Sequence, residues 1–143
     1  MVMFLGFIKV KFRVYNPKEK ERFVDVNGVV DTGAIYTVVN RMLLESIGLI
    51  PVEKRKFRTF GGEVERDIGI AEVELMGRRG GITIIFGEEK DAAILGVTAL
   101  EALGLEVDPI KGTLKEAQLL MLQLHYTYNQ AKTARTISKD KAN

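Results

Sequence analysis

The tetrapeptide Asp31-Thr32-Gly33-Ala34 carries the residue types that could perform chemistry, and the apolar pair Val29-Val30 leads into it. Two carboxyl groups about 3 Å apart cannot both ionise, so such a pair shares one proton and can activate a water molecule. The chain holds one such tetrad, whereas this chemistry needs two aspartates. Half of a site in each chain predicts a homodimer in which two copies of Asp31 meet.

The residues that follow Asp31 are suited to a tight turn around a carboxylate pair. Glycine at position 33 lets the backbone approach the carboxylates and a ligand closely. The hydroxyl of Thr32 can both donate and accept a hydrogen bond, so two copies could hold each other across a symmetry axis.

Composition removes most other catalytic chemistries. The chain has no cysteine and one histidine, His125. Disulfides, a thiolate nucleophile and a cysteine zinc site are therefore excluded, and a zinc site would rest on one histidine and carboxylates. His125 lies beside an apolar stretch near the C-terminus, and we interpret it as non-functional. Catalysis is expected to use carboxylates, with no metal or organic cofactor.

A second segment repeats the pattern around the tetrad. Residues 92–96, Ala-Ala-Ile-Leu-Gly, form an apolar run that ends in glycine, and a short helix is predicted from Val97 to Leu103. A short helix is likewise predicted over residues 40–47, after the tetrad. The two helices end in near copies, Ser-Ile-Gly-Leu at 46–49 and Ala-Leu-Gly-Leu at 102–105. These similarities indicate an internal half-repeat.

Alternating apolar and charged residues from Ile8 to Val14 predict a half-buried strand. Between Glu53 and Met76, the pair Gly61-Gly62 predicts the tip of a hairpin. The apolar positions change from even to odd numbers near Ala71, which predicts a β-bulge or a bend.

Together these three motifs resemble those of the retroviral-type (retropepsin-like) aspartic peptidases. Members of that family carry Asp-Thr-Gly-Ala early, a glycine-tipped flap hairpin centrally, and Ile-Leu-Gly followed by a helix near the end. The resemblance covers about Lys9 to Leu114. It implies a mostly β, single-lobe, closed β-barrel-like acid protease fold with one or two short helices and an active site at a homodimer interface.

The chain departs from the retroviral pattern at two positions. Retroviral members usually have an acidic residue shortly after the tetrad and an arginine after Ile-Leu-Gly, but this chain has Ile35 and Val97. Because both members of that ion pair are missing together, no uncompensated buried charge remains. The departure affects substrate subsites and dimer details more than the fold, and it favours a cellular member of the family.

The resemblance implies an aspartic endopeptidase in which Asp31 is catalytic and Thr32 and Gly33 support the active site. A peptide or protein substrate is expected to contact Gly33, Ala34, Phe60, Gly61, Gly62 and Ile94. Candidate pocket walls are Ile35, Val38, Ile94 and Val97.

Two other interpretations of the same residues remain open. One is a retropepsin-like module that binds extended peptides or assembles a complex with little or no turnover, because a fold does not fix an activity. The other is a plain β-barrel dimerisation domain in which Asp31 merely caps a turn.

Length and charge agree with one domain. The chain has 143 residues and a net charge of +2. We expect the peptidase domain to span residues 1–125, followed by a polar, basic tail over residues 126–143. No basic face with interleaved aromatics indicates nucleic-acid binding, and no apolar run or signal-peptide pattern indicates a membrane segment. A cytoplasmic homodimer is expected.

Overall fold

A computed structural model describes residues 7–121 of the chain. His125 and the basic tail expected over residues 126–143 lie outside the described residues. The elements are β1 (Ile8–Asn16), β2 (Glu19–Val30), β3 (Thr37–Asn40), α1 (Arg41–Ser46), β4 (Glu53–Thr59), β5 (Gly62–Leu75), β6 (Arg78–Gly87), β7 (Ile94–Leu95), α2 (Val97–Leu103), β8 (Leu105–Asp108) and β9 (Thr113–Glu116).

Seven of these strands form one sheet in the order β1-β2-β7-β3-β6-β5-β4. A further antiparallel pairing of β1 with β5 closes the sheet on itself, so β4 lies outside the closed ring as an extension of β5. Most neighbours are antiparallel, but β2 pairs with β7, and β3 with β6, in parallel. The expectation of a mostly β, closed, barrel-like fold with two short helices is therefore confirmed.

The alternation in β1 sorts its side chains between the barrel interior and solvent. Phe12 and Val14 are buried, whereas Lys9 and Lys11 are exposed. Successive residues of a strand point to opposite faces, so this pattern buries one face of β1. The barrel interior is completed by Val26, Val30, Val39, Ala71, Val73, Ile82, Ile84, Phe86 and Leu95.

The two short helices form where the half-repeat predicted them. The side chain of Asn40 accepts a hydrogen bond from the backbone N–H of Met42, which caps the start of α1. Helix α2 ends at Gly104, whose backbone is left-handed with a φ of 69°, a conformation that glycine adopts without steric cost. Ala99, Leu100 and Leu103 of α2 are buried, so this helix packs against the barrel.

A β-bulge or a bend was predicted near Ala71, and the bulge is wrong. The ladder between β5 and β6 runs without interruption from Asp67 opposite Phe86 to Leu75 opposite Arg78. Ile68 is buried and Ile70 is about half exposed, whereas Ala71 and Val73 face the core. Ile68 and its cross-strand partner Ile85 are both buried, yet neither belongs to the core cluster that contains Ala71 and Val73. Because successive residues of a strand point to opposite faces, β5 is covered on one face at Ile68 and on the other at Ala71 and Val73, without an extra residue.

The chain leaves the barrel through α2 into a separate two-stranded sheet of β8 and β9. Within residues 7–121, neither helix is long and apolar enough to span a bilayer.

Candidate functional site

Asp31 is the first residue after β2 and is half-buried. Its backbone N–H donates to the carbonyl of Leu95 at 3.1 Å, which continues the parallel pairing of β2 with β7. Its Oδ1 accepts a hydrogen bond from the N–H of Gly33 at 2.8 Å. The backbone and the carboxylate of Asp31 are thus both fixed by the fold.

The turn after Asp31 presents Thr32 and Gly33 to solvent. The N–H of Ala34 donates to the carbonyl of Asp31 at 3.1 Å and closes the turn. A Cβ added at Gly33 would lie 3.2 Å from Asp31 Oδ1, so a side chain there would press on the carboxylate. Glycine at position 33 therefore keeps the space beside the carboxylate open, as its place in the tetrad predicted.

The segment after the tetrad is held by the second half of the repeat. The N–H of Val97 donates to the carbonyl of Ala34 at 2.8 Å, and the N–H and hydroxyl of Thr98 both donate to the carbonyl of Ile35, at 3.0 and 2.7 Å. Helix α2 thus begins directly on the loop that carries Asp31.

A buried hydrogen bond completes this contact. Thr37, which is fully buried, accepts a bond from the N–H of Gly96 through Oγ1 at 3.0 Å. A Cβ on Gly96 would lie 2.6 Å from the backbone carbon and oxygen of Tyr36. With the backbone of Tyr36 this close, only glycine fits at position 96, which explains the glycine of the Ile-Leu-Gly motif.

The glycine-tipped hairpin is formed by β4 and β5, with Thr59 paired to Gly62 across the turn. The hydroxyl of Thr59 donates to the carbonyl of Gly62 at 2.8 Å and accepts from the N–H of Gly61 at 3.2 Å. Gly62 has a φ of 116°, which favours glycine. Phe60 at the tip is fully exposed.

The hairpin contacts the loop that carries Asp31 below its tip. The rings of Phe57 and Tyr36 meet edge to face, with their centroids 6.0 Å apart. Arg55 donates from Nη1 to the hydroxyl of Tyr36 at 3.2 Å and pairs with Glu53. Sequence reasoning missed Tyr36 and Arg55, because neither has a motif and only the folded chain brings them together.

A second contact joins the other strand of the hairpin to the turn before β7. Arg66 donates from Nε and Nη2 to the two carboxylate oxygens of Asp91, at 2.7 and 3.1 Å. This hydrogen-bonded guanidinium holds the pKa of the Asp91 carboxyl below its usual range. Asp91 therefore does more than close a turn, since it links two elements around the site.

An open cavity of about 340 Å³ lies beside Thr32 of the tetrad. It is lined by Thr32, Val97, Leu100, Glu101, Gly104, Leu105, Glu106, Val107, Ala117 and Leu119. Of the four candidate pocket walls, Val97 lines this cavity. Ile94 and Val38 are half-buried and paired with each other in the sheet, and Ile35 is exposed.

Within the described part of the chain, no group of three or more histidine, cysteine, aspartate or glutamate side chains is arranged to hold a metal ion. Some of the other ion pairs join separate elements. Asp67, for example, binds Arg41 and Lys54, and the hydrogen bond from Arg41 is the main cause that lowers the pKa of its carboxyl.

Comparison with known proteins found similarity in structure. No family model matches the chain, and no curated protein matches it. The solution structure of the simian foamy virus (mac) protease is 18% identical, with a TM-score of 0.47, and the match covers 66% of this chain and 92% of that one. The EIAV protease in complex with the inhibitor HBY-793 is 17% identical, with a TM-score of 0.49, and the match covers 81% of this chain and 94% of that one. Both are retroviral proteases, the kind of protein that the three motifs resemble.

Proposed function

We propose that the chain is an aspartic endopeptidase whose active site forms when two copies bring their Asp31 residues together. The observation that carries this proposal is the set of hydrogen bonds that fixes Asp31. Its backbone is bonded to Leu95, its Oδ1 is bonded to the N–H of Gly33, and the turn beside it is exposed. A plain turn cap would need only the contact with Gly33, whereas here the two halves of the repeat also meet at the backbone of the residue that carries the carboxylate.

In the proposed mechanism the two carboxyl groups share one proton and hold a water molecule between them. The ionised carboxylate takes a proton from the water as general base, and the protonated one donates to the carbonyl oxygen of the scissile peptide bond. The water oxygen then bonds to the carbonyl carbon. Proton transfer to the leaving nitrogen breaks the C–N bond and releases an amine and an acid.

The remaining site residues receive roles by position. Thr32 is exposed beside the cavity, where its hydroxyl can bond to its counterpart in the second copy. Gly33 and Ala34 present backbone groups to an extended peptide, and Ile94 forms part of the wall of the substrate pocket. Phe60, Gly61 and Gly62 cover the peptide from the hairpin. The proposed peptidase domain spans residues 1–125, with residues 126–143 as a tail.

The proposal is tested by the Asp31→Asn variant of the full chain, with Asp108→Asn as the control. Asparagine has nearly the same size but cannot take the water's proton, so cleavage of a mixed peptide library should fall by about 100-fold or more. Circular dichroism and sedimentation should show the same fold and dimer. Asp108 accepts hydrogen bonds from Ile110 and Lys111 in a turn, and its variant should cleave normally.

Residual cleavage by Asp31→Asn within tenfold of the parent would rule out Asp31 as the base. A parent chain that binds a statine-containing peptide yet cleaves nothing in the library would support the peptide-binding or assembly module instead.

A further inference from the structure

The two strands of the hairpin are each attached to a different half of the repeat. Cross-strand pairing places Arg55 opposite Arg66 and Phe57 opposite Val64, so these four residues share one face of the hairpin. On that face, Phe57 and Arg55 of β4 contact Tyr36, five residues after Asp31. Arg66 of β5 binds Asp91, three residues before Ile94.

Two arginines directly opposite each other repel unless each has a partner. Arg55 has Glu53, and the side chains of that pair are about half exposed. Arg66 has Asp91, and the side chains of this pair are only 20% and 27% exposed. The more sheltered and bidentate pair is the stronger of the two, because its charges are less screened by water and its fork geometry is fixed.

Asp91 is itself held in place. Its Oδ2 accepts a hydrogen bond from the N–H of Glu88 at 2.7 Å, and its own N–H donates to the carbonyl of Glu88 at 3.0 Å. The turn over residues 88–91 is thus closed around the carboxylate that receives Arg66. Arg66 of the hairpin therefore binds a carboxylate whose position is already fixed by its own turn.

We propose that Arg66 and Asp91 are positioning residues that set the hairpin at the height needed to cover Asp31 and a bound peptide. This inference rests on the proposed function. Arg66 lies four residues after Gly62 along β5. Its bond to Asp91 therefore anchors the base of the hairpin and leaves Phe60 and Gly61 free to move over a substrate. Neither residue touches the reacting atoms.

The test compares Arg66→Gln, Asp91→Asn and the double variant with Asp25→Asn as the matched control. Asp25 forms the same bidentate pair with Arg13, at 2.8 and 3.3 Å, but between β1 and β2. Amide hydrogen exchange is measured over residues 57–64 and over β6. Each single variant should speed exchange in the hairpin by about tenfold, because it removes a charged hydrogen bond that opposes local opening. Exchange in β6 should not change.

The double variant should exchange little faster than either single variant, because both singles break the same pair. In peptide hydrolysis, the KM of the single variants should rise several-fold while kcat changes less, since the hairpin binds the substrate before and during the reaction. Arg66→Lys should restore part of the effect, because lysine keeps the charge but not the fork. The Asp25→Asn control should alter neither the hairpin exchange nor KM.

The proposal is overturned if hairpin exchange changes no more than in Asp25→Asn, or if β6 and the hairpin accelerate equally, which would indicate a general loss of stability. Exchange does not depend on turnover. A chain that cleaves no peptide but shows the expected local acceleration would therefore refute the peptidase and leave the anchoring role in place.

Discussion

The backbone N–H of Asp31 is hydrogen-bonded to the carbonyl of Leu95 at 3.1 Å, although 64 residues separate the two in sequence. This bond places the only Asp-Thr-Gly of the chain directly beside its only Ile-Leu-Gly. The same join continues through Gly96, whose N–H donates to the buried hydroxyl of Thr37. The backbone of Asp31 is thus fixed by the second half of the repeat, while its carboxylate is oriented by the N–H of Gly33.

The close approach at Gly96 predicts a strong effect of a single methyl group. In Gly96→Ala the Cβ would meet the backbone of Tyr36 at 2.6 Å, so the loop after the tetrad must shift. We expect a loss of about 1–3 kcal/mol in the free energy of unfolding, together with a loss of activity. Urea unfolding measures the first and peptide hydrolysis the second.

The matched control for stability is Gly61→Ala at the hairpin tip. The nearest atom to a Cβ there is Thr59 Oγ1 at 3.8 Å, an ordinary contact. This variant should unfold within about 0.5 kcal/mol of the parent. Equal stability of the two variants would contradict the close contact at position 96.

Asp91 predicts how stability depends on pH. Its pKa is lowered in the folded chain by the bond from Arg66, whereas an unfolded aspartate has a pKa of about 3.9. The pair therefore stabilises the fold fully above that value, and the contribution is lost as the pH falls through the lowered pKa of the folded state. Asp91→Asn should cost about 1 kcal/mol at pH 7, after allowance for partial exposure.

The measurement is the difference in unfolding free energy between parent and Asp91→Asn at several pH values. The difference should be constant between about pH 5 and pH 7 and should shrink below about pH 4. A difference that grows as the pH falls would contradict a stabilising role for the ionised carboxylate.

The proposed pair of carboxyl groups, which would share one proton, predicts a bell-shaped dependence of kcat/KM on pH. The first proton of a facing carboxyl pair leaves easily and the second is held more tightly, because its loss would put two negative charges at contact distance. Activity should peak on the acidic side of neutral and fall when the pair is doubly protonated or doubly ionised. A rate that climbs steadily through pH 9, or that depends on added zinc, would refute the model.

The cavity beside Thr32 is lined in part by the segment that follows β9, and this segment is a candidate for the contact between two copies of the chain. Leu119 lines this cavity and is still 70% exposed, and Leu120 and Met121 are more exposed again. Such a run of exposed apolar residues marks a surface for contact. We expect this surface to contribute to the proposed homodimer, so truncation before Leu119 should weaken association and peptide cleavage together.

The control truncation removes the residues after Tyr128, which lie outside the described part of the chain, and it should be tolerated. Analytical ultracentrifugation with parallel activity assays measures both effects. An active monomer would end the hypothesis of a shared site.

Features encoded within a few residues could be predicted from the sequence alone. The alternation in β1, the glycine-tipped hairpin and the helix end at Gly104 all depend on local periodicity or backbone freedom, and the structure has each of them. The half-repeat also predicted that the segments around Asp31 and Leu95 correspond, and they pair in parallel in the sheet. Local signals therefore determined the kinds of elements and the candidate carboxylate.

Only the tertiary structure decided which distant side chains meet. Nothing near Arg66 in sequence indicates Asp91 as its partner, and nothing near Tyr36 indicates Phe57. The change from even to odd apolar positions in β5 predicted a bulge or a bend. In the folded chain Ile68 is covered on one face of this strand and Ala71 and Val73 on the other, and only tertiary packing decides that both faces are buried. Strand register and twist set these contacts, because they fix which residues face each other across elements far apart in the chain.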